Sequence, residues 1–227
     1  AAKYIGKNTK LYIVQHGGSY GINLFSFFEN HEKEISDKYL VWGWGNEDEK
    51  YINIPVSIIK KRKWIKTNPK GNILIVANPF RDKSYISHMH PTLLVPNQNK
   101  NYANKLEVFL KKISKNLISK TTLRTYPGET YLPKKIINLI ENKNIILSNK
   151  KNIRDEIYGS KITICTCFAS TFIECIFIDN PCILILDKEL DPLRESIKVH
   201  IQYLINAKIC HENYDSAISH LKEIESN

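Results

Sequence analysis

The residues best placed to do chemistry lie in Gln15-His16-Gly17-Gly18-Ser19-Tyr20-Gly21, directly after the apolar run Leu11-Tyr12-Ile13-Val14. The run reads as a buried strand, Leu11–Gln15, and the segment after the turn, Ile22–Lys38, reads as a helix. A strand, a tight glycine turn and a helix start bring backbone N–H groups up to an anion. Gly17, Gly18 and Gly21 admit positive φ and close ligand approach. His16, at a strand's C-terminal end, faces the crevice where open α/β sheets bind ligands. The expectation is a substrate bearing a phosphate or a carboxylate. The plainer alternative is a tight turn whose histidine is satisfied by backbone.

Three further clusters follow. Arg124-Thr125-Tyr126-Pro127-Gly128 ends a strand, and its arginine can fork onto a phosphate or stand at the surface before a Pro-Gly turn. In Cys167-Phe168-Ala169-Ser170-Thr171-Phe172-Ile173-Glu174, Ser170 and Thr171 open a helix. Their hydroxyls can cap it or face a ligand beside its free N–H groups, and Glu174 can accept from sugar or ribose hydroxyls. A plain cap with a first-turn acid is the competing reading. In Asp191-Pro192-Leu193-Arg194-Glu195-Ser196, Asp191 and Pro192 make a good helix start. Arg194 then falls in a first turn, where the dipole disfavours it, a misfit that points to a role for Arg194 and its neighbour Glu195.

The chain shows no P-loop, no G-x-G-x-x-G and no G-x-S-x-G elbow. Only His88 and His90 have spacing that suits a metal, and they lie in a loop, so no metal is expected.

The elements that must position these residues are strands and helices in alternation. Strands are expected at Leu11–Gln15, Tyr39–Gly43, Ile52–Pro55, Ile73–Ala77, Thr122–Tyr126, Asn144–Leu147, Ile162–Thr166 and Cys182–Leu186. Helices are expected at Ile22–Lys38, Tyr102–Ser119, Pro133–Asn142, Ile153–Gly159, Ser170–Ile178, Pro192–Ile205 and Tyr214–Ile224. Short continuous apolar runs favour a parallel sheet covered on both faces, hence a doubly wound α/β fold. Residues 1–45 read as a strand, glycine turn and helix beside a cleft. Residues 46–71 read as a connector and 72–227 as a Rossmann-like domain. Asn78 to Asn101 reads as a long loop, and such loops are often functional; it holds Arg81.

The 227 residues suffice for a substantial core, and 42% hydrophobic with 25% charged residues is an ordinary globular composition. No apolar run approaches the roughly 20 residues that span a bilayer. The start, Ala1-Ala2-Lys3, shows no signal peptide and no Met, so the chain reads as a cytoplasmic piece of a longer protein. The formal net charge of +10 is spread among lysines, with Lys60-Lys61-Arg62-Lys63 the one compact run. That suits a phosphate-bearing ligand, an anionic membrane face or a solvated surface. A basic nucleic-acid-binding protein is disfavoured, because basic and aromatic residues do not interleave. Cys165, Cys167, Cys175, Cys182 and Cys210 read as buried free thiols.

Taken in order, the Gln15–Gly21 turn, Trp42-Gly43-Trp44, Ala169–Glu174 and Leu193-Arg194-Glu195-Ser196 resemble a bacterial family of surface-carbohydrate transferases from O-antigen loci. The resemblance covers about His16 to Ile224 and corresponds to the C-terminal part of a longer transferase. More distantly the layout is similar to GT-B glycosyltransferases such as capsule Kdo transferases, polysialyltransferases and CDP-glycerol transferases. Those carry a His-Pro pair where this chain has Tyr126-Pro127, and Arg124 is the candidate substitute.

The resemblance implies glycosyl transfer from a nucleotide-activated sugar, preferably CMP-linked, to a glycan or lipid-linked glycan acceptor, with no cofactor required. His16 is then catalytic. Gly17, Gly18, Tyr20, Gly21, Arg81, Arg124, Tyr126, Ser170, Thr171, Glu174, Arg194 and Glu195 surround the donor. An N-terminal domain or partner chain would complete the acceptor side, and the protein would sit at the inner face of the membrane. The alternative is a non-catalytic module that binds a nucleotide sugar or glycan.

Overall fold

The apolar runs pair into two parallel sheets in the computed structural model, which describes residues 9–45, 48–56, 68–80, 96–126 and 132–226. The smaller sheet has the order β1-β2-β3, from Tyr12–Val14, Lys38–Val41 and Tyr51–Asn53. The larger contains β4 (Asn72–Val76), β5 (Thr121–Arg124), β6 (Ile146–Leu147), β7 (Ser160–Cys165), β8 (Cys182–Ile185) and β9 (Cys210–His211). Its order is β6-β5-β4-β7-β8-β9, with every neighbouring pair parallel. Counted from β4, this is the 3-2-1-4-5-6 order of a doubly wound Rossmann sheet. The chain reverses direction of travel between β4 and β7, which opens a crevice at their C-terminal ends.

Helices cover both faces of the larger sheet, which is why its central strands carry successive apolar residues, as in Ile73-Leu74-Ile75, rather than alternating. Over one face lie α2 (Pro96–Lys112), α4 (Lys134–Lys143) and α8 (Tyr214–Ser226). They bury Leu106, Phe109, Leu110, Ile136 and Ile218 against Ile73, Ile75 and Ile183. Each such side chain contributes about 2 kcal/mol by leaving water. The other face is covered by α5 (Ile153–Gly159), α6 (Ser170–Phe177) and α7 (Lys198–Asn206), through Ile157, Cys175, Phe172 and Ile201. Two helices remain among the described residues: α1 (Phe27–Ile35), beside the smaller sheet, and the single turn α3 (Lys115–Ile118).

Several boundaries differ from the sequence expectations for local reasons. The helix expected from Ile22 starts at Phe27, because Ser26 caps it by accepting the Glu29 N–H and Asn23 bridges to Leu193. The helix expected over Tyr102–Ser119 starts inside the presumed loop, at Pro96, and is broken where Ser114 caps α3. The segment from Pro192 stays extended through Arg194, then makes a 3₁₀ turn, Glu195–Ile197, before α7. The connector contributes β3, which pairs with β2 and so belongs to the smaller sheet. Strand β9 has only two residues, too few to show a period. Arg81, His88 and His90 lie outside the described residues.

All five cysteines are free, and four are buried. Burial pushes the Cys182 and Cys210 thiols up to about 12, which makes them inert at neutral pH. No helix among the described residues is long and apolar enough to cross a membrane.

At the end of β9, His211 Nε2 lies 3.1 Å from His220 Nδ1, and His211 Nδ1 lies 3.2 Å from Ser216 Oγ. Lys208 and Glu223 flank the pair. Burial lowers both histidines below their ordinary range; for His211 the second ring adds to this. The unfolded chain therefore binds more protons near pH 6, so the pair stabilises fully above about pH 6.5 and fades as the pH falls. His220→Gln is expected to cost about 1 kcal/mol at pH 7.5 and less at pH 5.5, read as the gap in melting temperature from the parent. A gap that widens on acidification contradicts the assignment.

Candidate functional site

A cleft of about 640 Å³ lies at the C-terminal ends of β4, β5 and β7, between the glycine turn and the start of α6. Of the residues singled out in the sequence, it brings together His16, Gly17, Gly18, Tyr20, Arg124, Tyr126, Ser170, Thr171 and Glu174. Gly21, Arg194 and Glu195 are not among its lining, and Arg81 lies outside the described residues.

The two walls meet at a backbone contact. The Gly18 N–H donates to Ser170 Oγ at 3.1 Å. A β-carbon on Gly18 would lie 2.5 Å from the Ser170 nitrogen and 2.6 Å from the Ala169 carbonyl carbon. Gly18 is thus required for apposition of two chain segments, not for ligand approach. Gly21 does have positive φ, +76°, but a β-carbon there would meet the Trp44 ring at 2.3 Å. Its freedom serves packing, and its N–H is taken by Glu29 Oε2. Gln15 holds the turn from beneath. Its Oε1 accepts from Trp42 N–H and Trp44 Nε1–H, and its Nε2 donates to the Gly17 carbonyl.

A second seam explains the misfit at Arg194. The residue is extended, ahead of the 3₁₀ turn, so it meets no unfavourable dipole. Its guanidinium reaches Glu29 at 2.6 Å and donates to the Asn23 carbonyl at 2.9 Å. The Glu29 side chain is only 3% exposed. Main-chain bonds from Leu24 N–H to Pro192 O and from Arg194 N–H to Ile22 O complete the clamp. Arg194 therefore joins the two sheets rather than touching the cleft. Glu195 is exposed and pairs with Lys198.

Arg124 lines the cleft, yet its guanidinium is engaged inward. It pairs with buried Glu156 and donates to the carbonyls of Lys150 and Lys151 and to Ser148 Oγ. It fixes the strap 148–153, which carries Lys151, Asn152 and Ile153 to the cleft wall. Lys151 is exposed and has no ion-pair partner among the described residues. Glu174 pairs with Arg154 at 2.9 Å. At the start of α6, Ala169 occupies the cap position with no side-chain cap. Ser170 faces Gly18 instead of capping, and the Thr171 hydroxyl has no protein partner among the described residues.

Across the cleft from α6, the His16 side chain is 66% exposed. Its Nδ1 lies 3.4 Å from Glu32 Oε1, and Tyr20 Oη lies 3.2 Å from its Nε2. Tyr39 donates to Glu32 Oε2 at 2.9 Å. Burial and the Glu32 charge hold the Tyr20 and Tyr39 hydroxyls well above the usual phenol range, so both remain donors. Glu32, Glu29, Glu156 and Lys151 carry no motif. The one available signal was the spacing of three between Glu29 and Glu32, which puts both acids on one face of a helix.

Two stability measurements check this geometry. Gly18→Ala is expected to lose at least about 2 kcal/mol, because the clash is with backbone. Gly159→Ala, into open space, should stay within about 0.5 kcal/mol. Arg124→Ala strands Glu156 in the interior and should cost about 3–5 kcal/mol. Replacing both partners, Arg124→Met with Glu156→Leu, should recover most of that loss. Equal melting temperatures for Gly18→Ala and Gly159→Ala would remove the seam.

No curated protein matches the chain. A family described as LIC12162 family transferase has a model that matches residues 1–227. With that match over its whole length, on a Rossmann-type sheet with a histidine-bearing cleft at its switch point, the chain belongs to the LIC12162 family of transferases.

Proposed function

We propose that the group moved is a sugar. The chain is read as a glycosyltransferase, or its donor-binding part, that takes a sugar from a nucleotide-activated donor to a bacterial surface glycan acceptor. The observation that carries this is the cleft's position. It lies at the topological switch point of a 3-2-1-4-5-6 sheet, where such folds bind nucleotides, with a helix N-terminus on one side and a histidine on the other. Its volume falls in the range of small-ligand sites.

In this reading the donor phosphate lies against the start of α6, beside Thr171 and its amide, where the helix dipole favours an anion. Because Arg124 is held by Glu156, Lys151 is the cation across the cleft. These groups stabilise the charge that develops on the departing nucleotide. Glu174 accepts from ribose or sugar hydroxyls, and Tyr126 offers an exposed ring beside them. His16 takes the acceptor's proton as general base. The distant GT-B resemblance favours a CMP-linked acidic sugar and a lipid-linked glycan acceptor at the inner membrane face. Residues 72–227 are the donor domain, and an N-terminal domain or partner chain supplies the rest of the acceptor side.

Melting curves with CMP, CDP, UDP, GDP and dTDP test the proposal. A nucleotide at about 100 times its Kd should stabilise the chain by about 2.7 kcal/mol, a rise of several degrees. Lys151→Gln and Thr171→Ala should each weaken that nucleotide about tenfold. No shift with any of the five, in the folded parent, overturns the nucleotide-donor reading. Binding without transfer to any glycan acceptor selects the non-catalytic module.

A further inference from the structure

The two inward acids of α1 are used differently. Glu29 is matched by an arginine across the sheet seam. Glu32 has no lysine or arginine; among the described residues its one ion-pair partner is His16. A half-buried carboxylate with no strong cation is costly, and here it is held by hydroxyls instead. Tyr39, fully buried on β2, donates to one oxygen at 2.9 Å. The Tyr20 hydroxyl lies 3.5 Å from the other oxygen and 3.2 Å from His16 Nε2. The Tyr20 ring also packs edge-on against the imidazole, with centroids 5.1 Å apart. Two tyrosines and a carboxylate thus fix the one histidine that lines the cleft among the described residues.

We infer that Glu32, held by Tyr39, is the positioning residue for His16. Glu32 Oε1 faces Nδ1 at 3.4 Å and favours the proton there, while the Tyr20 hydroxyl donates to Nε2. When that hydroxyl turns to Glu32 Oε1, 3.5 Å away, Nε2 is open as the base, and Glu32 stabilises the imidazolium once His16 is protonated. The geometry stands by itself; its role in turnover rests on the glycosyl-transfer reading. In that reaction an acceptor hydroxyl oxygen forms a bond to the anomeric carbon. The bond from that carbon to the nucleotide phosphate oxygen breaks, and its electron pair leaves with the phosphate. The hydroxyl proton passes to His16 Nε2. The ring is then doubly protonated, with its charge facing Glu32. This is the logic by which a carboxylate orients and charges a histidine base in hydrolytic triads.

Two readouts test the inference on the full chain. The first is the ring ¹H–¹⁵N spectrum of His16 at pH 8, assigned with His16→Asn. The parent should show the proton on Nδ1. Glu32→Gln, which can present an amide N–H to that nitrogen, should move it to Nε2. An unchanged tautomer in Glu32→Gln overturns the inference. If that variant fails to fold, Tyr39→Phe is read in the same way: a mixture of tautomers supports the role, and a pure Nδ1–H form rejects it. The second readout is turnover of whichever nucleotide sugar the panel selects. Glu32→Gln should lower kcat about 100-fold with donor KM within about twofold. A change confined to KM also rejects the role. If the parent turns over none of the donors, the transfer reading fails while the tautomer still decides the dyad.

Discussion

The cleft depends on one close backbone approach. Gly18 lies so near Ser170 that no side chain fits between the two backbones. One hydrogen bond, from the Gly18 N–H to the Ser170 hydroxyl, closes the seam. The contact joins the end of β1 to the start of α6, elements 152 residues apart in sequence. It thereby sets the distance between the histidine wall and the helix N-terminus. A bulkier residue at either side would separate the walls and open the cleft to water, weakening every electrostatic interaction inside it.

Four acids share the work of holding this arrangement, each in its own way. Glu29 with Arg194 locks the turn to the segment before α7. Glu156 with Arg124 anchors the strap that edges the cleft. Glu174 with Arg154 closes the side of the cleft beside that strap. The Arg124–Glu156 pair is buried on both sides; such a pair adds little net stability over apolar substitutes, but breaking it is severe, so it acts as a lock on geometry. Glu32 differs, because its partner is a histidine and that histidine faces the cleft. A carboxylate set against a fixed charge holds geometry alone, whereas one set against an imidazole also faces a group that can take up a proton.

Most of the architecture was legible in the sequence because burial on both faces leaves a direct trace. Ile73-Leu74-Ile75 and Ile162-Thr163-Ile164 are short apolar runs, and α5 and α6 begin where Asn152 and Ala169-Ser170 place them. Element ends were less legible wherever a cap or a distant bridge overrode propensity, as at Ser26, Ser114 and Arg194. The cleft-lining roles of His16, Ser170, Thr171 and Glu174 follow from their places at strand ends and in a first helical turn. Arg124 and Arg194 looked the same as each other in sequence, as arginines near element ends, and both prove to be engaged by buried acids.

By itself, the sequence determined the alternation of strand and helix, the parallel sheet and the glycine turn with its histidine. These depend on hydrophobic pattern and local backbone freedom, which are encoded within a few residues. Only the tertiary structure decided which charges are already paired and which face the cleft. It assigned Gly18 to a seam, turned Arg124 inward, left Lys151 at the rim and set Glu32 behind His16. The reason is physical: whether a charged side chain serves a ligand or the fold depends on what the chain brings within about 4 Å of it, and those neighbours come from segments far apart in the sequence.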